Sequence, residues 1–329
     1  MSMKELSMDR ICRKSYNERD LYTIRGKGMT LQQLKYLVTV AECGSISEAA
    51  QKLFISQPSL SAAIQNLEKE MGVTAFSRSS KGVVITREGE ELLAYSRMLL
   101  EQADIMQEHF GKDKNRTPKF SVSCQHYSFA VNAFVDLVKQ YDASQYNFIL
   151  RETQTGEIID DVAQGKSEVG ILYLSAHNEE VLTKLMRKNG LVFEELFVAE
   201  PHVFICREHP LANKKEITLD DLQPYPYLVY EQGERNSFYF AEEFLSMLDF
   251  PKNIQVRDRA TLFNLVIGLN GFTVCSGVID QKLNGENIIA KPLVSDCDMR
   301  IGMIRKKNMM LSRYALYYQE AIKNYLAIA

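Results

Sequence analysis

No stretch of the chain reaches the roughly 18 consecutive apolar residues that a membrane-spanning helix needs. The amino-terminal residues are charged throughout and lack the apolar segment of a secretion signal. Both absences point to a protein of the cytoplasm with no membrane partner. Cysteine is sparse and scattered. Cys12, Cys43, Cys124, Cys206, Cys275 and Cys297 include no C-x-x-C pair and no His/Cys cluster at metal-ligand spacing, so reduced thiols and no metal site are expected. No cofactor motif is present either. A surplus of basic charge is also missing: the net charge is -3 and the pI about 6.1, which confines any nucleic-acid surface to a local patch. Enzyme signatures are absent as well, with no G-x-S-x-G elbow and no H-E-x-x-H. Gly165-Lys166-Ser167 resembles the tail of a phosphate loop, but Asp160 stands at the earlier glycine position and the segment falls at a helix end rather than its start. Catalysis is not expected.

What is present is a chain of 329 residues, 46% of them hydrophobic, enough for two or three units with their own cores. Charge is uneven along it. Residues 1–28 carry +3 and residues 29–87 carry +2, while the remainder carries -8. A mildly basic front on an acidic body suits a nucleic-acid reader fused to something else. Residues 1–28 show no helical or strand period and read as a flexible arm. Alternatively they are a misassigned start, because Arg25-Gly26-Lys27-Gly28 is compatible with purine-rich codons ahead of an initiating Met29.

From Thr30 the apolar residues recur at helical spacing through Leu31, Leu34, Leu37, Val38 and Ala41, stopping at Gly44. Ser45 can cap a short second helix through Lys52. Ser56 can cap a third, with Pro58 in its first turn and Leu60, Ile64, Leu67 and Met71 as its buried stripe. Residues 73–86 then read as two short strands around a Ser79-Ser80-Lys81-Gly82 turn, a wing. Thr86 caps a long helix to about Gly111, in which Leu92, Leu99 and Met106 recur every seven residues; such a stripe wants a partner helix. Ala49 and Ala50 allow the third helix to cross closely, which leaves Gln57, Ser59, Ser61 and Gln65 on its outer side. Short amides and hydroxyls there can reach base edges in a major groove.

After a polar linker at 112–117, strands alternate with helices in an α/β pattern. Strands are expected near 120–123, 148–152, 169–174, 203–206, 227–230, 272–275 and 300–305, and helices near 128–141, 156–164, 238–248, 261–269 and 311–326.

Residues 29–88, with Ala-Ala-x-x-Leu-x-x-Ser-Gln-Pro-Ser-x-Ser-x-x-Ile-x-x-Leu-Glu and Gly72-Val73-x-x-Phe76-x-Arg78, resemble the LysR-type transcriptional regulator family. The resemblance implies a multidomain protein: an all-α-type winged helix-turn-helix at 29–87, a dimerisation linker helix at 88–111, and an α/β, two-lobed effector domain of periplasmic-binding-protein type at 118–329. Lobe I is placed at 118–207 and 293–329, and lobe II at 208–292. The partners implied are double-stranded DNA with a partly palindromic operator, a small-molecule effector, further copies of the chain in a homodimer or homotetramer, and RNA polymerase. Carried over by position, Ser56, Gln57, Pro58, Ser59 and Ser61 face the major groove and Arg78 lies in the wing near the minor groove. The family often has a basic residue after Ser61, and here Ala62 requires Lys69, Lys81 or Arg87 to compensate.

Ligands in such a two-lobed domain sit at strand carboxyl ends and helix starts. The loops meeting that criterion hold Ser123, Cys124, Gln125 and His126, and Thr153, Gln154 and Thr155; Ser175, Arg235 and Ser276 are further candidates. Their hydroxyls, amides and nearby backbone N–H groups suit a carboxylate. The segments Ser123-Cys124-Gln125-His126-Tyr127 and Asp258-Arg259-Ala260-Thr261-Leu262 are also similar to a Gram-positive branch regulating cysteine and methionine metabolism. That similarity implies an acetylated serine or homoserine derivative, or a sulfur amino acid, as effector. A thiol redox-responsive regulator, with Cys206 as its sensing thiol, and an α/β binding protein without a DNA role are the alternatives.

Overall fold

A computed structural model of the protein describes residues 28–79, 82–110, 117–141, 145–235, 237–279, 285–295 and 298–326. The arm at 1–27, Lys81, Cys12 and Cys297 lie outside the described residues. The chain divides into two compact units, Met1–Leu100 and Glu101–Ala329.

In the first unit, α1 (Leu31–Cys43) starts at a capping box in which Thr30 accepts from the Gln33 N–H, and it ends at Gly44 in the left-handed region. Helix α2 (Ile46–Lys52) is capped by Ser45, and α3 (Gln57–Met71) by Ser56, with Gly72 as its left-handed stop. The apolar stripes of these helices meet in one core of Leu34, Leu37, Val40, Ala49, Ala50, Leu60, Ile64 and Leu67. Each leucine so buried is worth about 1.5–3 kcal/mol. Strands β1 (Phe76–Ser79) and β2 (Gly82–Ile85) pair antiparallel as the wing. Two contacts fix the wing to the helices. The Glu68 carboxylate of α3 accepts the Ala75 and Phe76 N–H groups at 2.7 and 3.2 Å, and Val83 N–H donates to Gly44 O at 3.0 Å. Helix α4 (Arg87–Phe110) begins with Thr86 accepting the Gly89 N–H at 2.9 Å.

The second unit has two lobes. Lobe I is a five-stranded sheet of β3 (Lys119–Cys124), β4 (Asn147–Glu152), β5 (Val169–Leu174), β6 (Leu191–Ala199) and β12 (Met299–Lys306), in the order β4-β3-β5-β12-β6. Strand β3 is parallel to β4 and β5, while β12 runs antiparallel to β5 and β6. Every β5 side chain is buried, and alternate residues serve opposite faces. Val169, Ile171 and Tyr173 join α5 (Ser128–Gln140) and α10 (Arg313–Leu326) in one core, and Leu172 and Leu174 join α6 (Thr155–Ala163) and α7 (Glu179–Lys188) in another.

Lobe II holds a three-stranded antiparallel sheet, β10 (Thr273–Cys275), β7 (His202–Cys206) and β11 (Ile288–Pro292), and a parallel pair, β8 (Tyr227–Tyr230) with β9 (Asn253–Val256). The short α8 (Leu219–Leu222) and α9 (Arg259–Leu269) belong to it as well. Strand β7 therefore belongs to lobe II. The first crossing between lobes falls near residue 200 rather than after 207, because β7 draws its hydrogen bonds from β10 and β11. A second correction concerns 238–248, which is a series of turns and not a helix.

Candidate nucleic-acid interface and ligand cleft

Burying Leu60, Ile64 and Leu67 against α1 and α2 leaves the opposite side of α3 in solvent. Gln57, Pro58, Ser59 and Gln65 are exposed there and Ser61 is half-exposed, with Gln57, Ser61 and Gln65 in one i, i+4 row. The expected reading residues divide by role. Ser56 Oγ accepts the Ser59 N–H at 3.2 Å and lies 2.7 Å from Ser59 Oγ, so these two serines fix the first turn of the helix. Among the described residues, the amides of Gln57 and Gln65 have no hydrogen-bond partner. Ala62 and Lys69 are exposed beside them. The Arg78 backbone pairs with Val83 in the wing, and its side chain, like Lys81, lies outside the described residues.

The second unit's site is built where the lobes meet. Lobe I contributes the segment between β3 and α5, the end of β4 and the start of α6; lobe II contributes residues 230–235 and 240–243 and the first residue of α9. His126 Nδ1 lies 2.9 Å from Glu242 Oε2, and the His126 backbone N–H donates to the same oxygen at 2.9 Å. The His126 ring stacks on Tyr230, with centroids 3.9 Å apart and planes at 9°. Gln232 donates to Glu242 Oε1 at 3.3 Å while accepting the Thr155 N–H at 3.1 Å. Arg259 donates to Ser128 Oγ at 3.1 Å and pairs with Glu152 at 3.2 Å. Arg235 donates to Gly156 O at 2.9 Å and pairs with Asp160 at 2.9 Å. Against these contacts lies a small, partly open cavity of about 20 Å³, lined by His126, Tyr230, Glu242, Glu243, Phe204 and Phe263 among others.

Of the effector candidates, His126 lines this cavity. Ser123 is fully buried, donating to Asp161 at 2.7 Å and lying 2.8 Å from Ser167 Oγ. Gln125 is also fully buried. Its Nε2 donates to Thr155 Oγ1 at 2.6 Å, and its Oε1 accepts from Tyr127 Oη at 2.9 Å and Tyr173 N at 3.0 Å. Thr153 Oγ1 donates to the Glu157 carboxylate. Gln154 sits at the start of α6 against Gly233. Ser175 accepts a local turn, its N–H donating to Asn178 Oδ1 at 2.8 Å, and Ser276 is buried beside Cys275. These polar groups hold the two lobes and their loops together. Glu152, Glu242, Glu243 and Arg259, none of them among the expected effector residues, also reach the cleft.

Burial shapes their titration. It pulls His126 down, but the Glu242 carboxylate, through charge and hydrogen bond, outweighs it and raises the imidazole above its usual 6.5. Burial raises Glu152, with Arg259 and His126 partly opposing. A raised folded-state pKa gives stability that is present below the unfolded value and lost as pH rises through the folded one. The thermal midpoint of the second unit is therefore expected to fall as pH rises past about 6.5, and His126→Gln to flatten that part of the slope in a calorimetric pH series. A midpoint that rises over this interval contradicts the assignment.

A helix whose outer face offers free amides, capped and braced by a wing, together with a two-lobed α/β unit closed over a small cavity, defines the class: a DNA-binding regulator carrying its own ligand-binding domain. The comparisons agree. Residues 31–90 match the bacterial regulatory helix-turn-helix protein, lysR family, and residues 124–326 match the LysR substrate binding domain. The chain belongs to the LysR family of transcriptional regulators. It is 31% identical over 214 residues to the uncharacterized HTH-type transcriptional regulator YnfL of Escherichia coli (strain K12), covering 64% of this chain and 68% of that one. A full-length OxyR variant from Pseudomonas aeruginosa superposes with a TM-score of 0.65 at 21% identity, covering 91% of this chain and 96% of that one. Full-length CbnR complexed with its target DNA gives 0.55 at 18% identity, over 90% of this chain and all 100% of that one. At these identities the two structures speak for the fold alone.

Proposed function

We propose that the chain is a cytoplasmic, non-enzymatic regulator that reads a partly palindromic operator through Gln57, Ser61 and Gln65. Arg78 and Lys81 of the wing hold the flanking groove, and a small molecule in the lobe cleft sets the response. No cofactor or metal enters this reading. The uncommitted amides of Gln57 and Gln65 on the solvent face of α3 carry it. Exposed Tyr95, Leu99 and Met106 on α4 support self-association through that helix into a homodimer or homotetramer, with half-sites spaced by about one helical turn of DNA. Ligand-dependent lobe closure changes the spacing of the paired readers, a coupling worth about 1–3 kcal/mol, and the DNA-bound assembly engages RNA polymerase. Footprinting on the DNA upstream of the protein's own gene tests the proposal. A protected palindromic site supports it, and no sequence-specific protection at physiological salt defeats it.

The thiol-sensing alternative lacks support. Cys206 donates to Asn270 Oδ1 at 3.4 Å. Cys275 pairs in register with His202, four residues along β7 from Cys206, a separation of about 13 Å against the ~7 Å limit for a disulfide. Burial pushes the Cys275 thiol up to about 11 and raises Cys124 as well, away from the reactive thiolate. Cys206→Ser is expected to leave a reporter's response to peroxide unchanged; a lost response would restore the redox reading.

A further inference from the structure

Among the described residues, three glutamates reach the cleft, and they are not equivalent. Glu152 pairs with Arg259 and Glu242 with His126. Glu243 is 2% exposed; its Oε1 accepts the Tyr230 N–H at 2.6 Å, while its Oε2 has no hydrogen-bond partner among the described residues. A buried carboxyl oxygen left unmatched costs about 1–3 kcal/mol, so such a group asks for a ligand partner. The cationic groups nearby are already engaged, Arg259 with Glu152 and Ser128, Arg235 with Asp160 and Gly156 O, and His126 with Glu242. A carboxylate ligand would have to break one of those pairs and would lie against the electron-rich rings of Tyr230, Phe204 and Phe263, which line the same cavity. A cation meets the opposite situation on both counts.

We infer that the cavity takes a small primary ammonium ion, with the Glu243 carboxylate as its anchor, Glu242 as a second anion, and the rings of Tyr230, Phe204 and Phe263 as its walls. This rests on the cleft being the effector site. It replaces the carboxylate that the helix-start loops suggested.

Proton balance follows. Burial first and the neighbouring Glu242 second raise Glu243 well above the usual carboxyl range, so the empty site holds it as the neutral acid. An arriving ammonium favours the carboxylate, and the carboxyl proton leaves to solvent. The charged groups bearing on the pair are Glu242 on the same segment, His126 before α5, Glu152 at the end of β4 and Arg259 at the start of α9. The remaining titratable neighbours, Tyr127, Tyr173, Tyr227, Tyr230 and Cys275, are all raised by burial and stay neutral near pH 7, which leaves Glu243, Glu152 and His126 as the groups able to release the proton.

The test is calorimetric titration of the full chain with ammonium ions from methylammonium to phenethylammonium, beside phenylpropionate and phenylethanol, in two buffers of different ionisation enthalpy. Expected are saturable binding of an amine, no binding of the acid or alcohol, release of about one proton, and affinity rising up to ~tenfold per pH unit while Glu243 remains protonated. Glu243→Gln, with its fold checked by circular dichroism, is expected to abolish the binding. Binding of phenylpropionate alone, no binding across the amine series, or amine binding without proton release would overturn the proposal. The release measurement needs no variant. A mobility shift without ligand runs in parallel: loss of specific DNA binding there would strike the regulator reading and not the amine site.

Discussion

Gln57→Ala lowers affinity for the specific operator by about tenfold to a hundredfold, the ~1–3 kcal/mol of one bidentate base contact, while binding to unrelated DNA at the same salt stays close to that of the unsubstituted chain. The expectation follows from where the amide sits. Gln57 opens α3, its side chain is exposed, and the Ser56–Ser59 hydroxyl pair holds the first turn in place around it. Ser59→Ala would act differently, loosening the turn. A competition mobility shift against random DNA separates the two effects. An equal loss on specific and random sequences would mean that Gln57 touches phosphate or only the fold.

The second large effect is Glu242→Ala. It strands the buried His126 imidazole and its backbone N–H, and removes an acceptor from Gln232, all in one step. Breaking one partner of a buried pair costs about 3–5 kcal/mol. In a unit of this size that corresponds to a drop in the thermal midpoint on the order of 10 °C, read by calorimetry. Removing both partners, in His126→Ala with Glu242→Ala, is expected to recover part of the loss, since no group is then left charged and alone. A single variant with an unchanged midpoint would show that the two lobes do not depend on this bridge.

Much of this architecture was legible in the residues. The hydroxyls of Thr30, Ser45 and Ser56 and the glycines Gly44 and Gly72 mark the ends of α1 to α3 because caps are local chemistry, decided by one side chain and its next turn. Strand β5 was equally plain, a short apolar run buried on both faces. Strand β6 was not, since Glu194 and Glu195 interrupt its pattern, and β11 ends on a proline at the sheet edge. The cleft failed for a related reason. The expected helix at 238–248 includes Glu242 and Glu243. The chain instead turns repeatedly there, sending one carboxylate to His126 across the lobes and the next to the Tyr230 N–H. Two adjacent acids that both go inside have partners distant in sequence, and no local pattern encodes those. The same holds for the hydroxyls and amides of the helix-start loops. Their type suited a ligand, but Ser123 and Gln125 meet protein partners brought by the fold.

The order of the lobe I sheet bears on how the protein is made. Strand β12 lies between β5 and β6, yet it leaves the ribosome only after the whole of lobe II has been translated. Until then the nascent chain holds β5 and β6 with facing edges unpaired, and unpaired edges recruit other chains. Lobe II, whose own strands all lie between Tyr227 and Pro292 or at His202–Cys206, can close first. A truncation just short of β12 thus removes the strand that joins the sheet, and a ribosome paused there exposes the protein at its most adhesive stage.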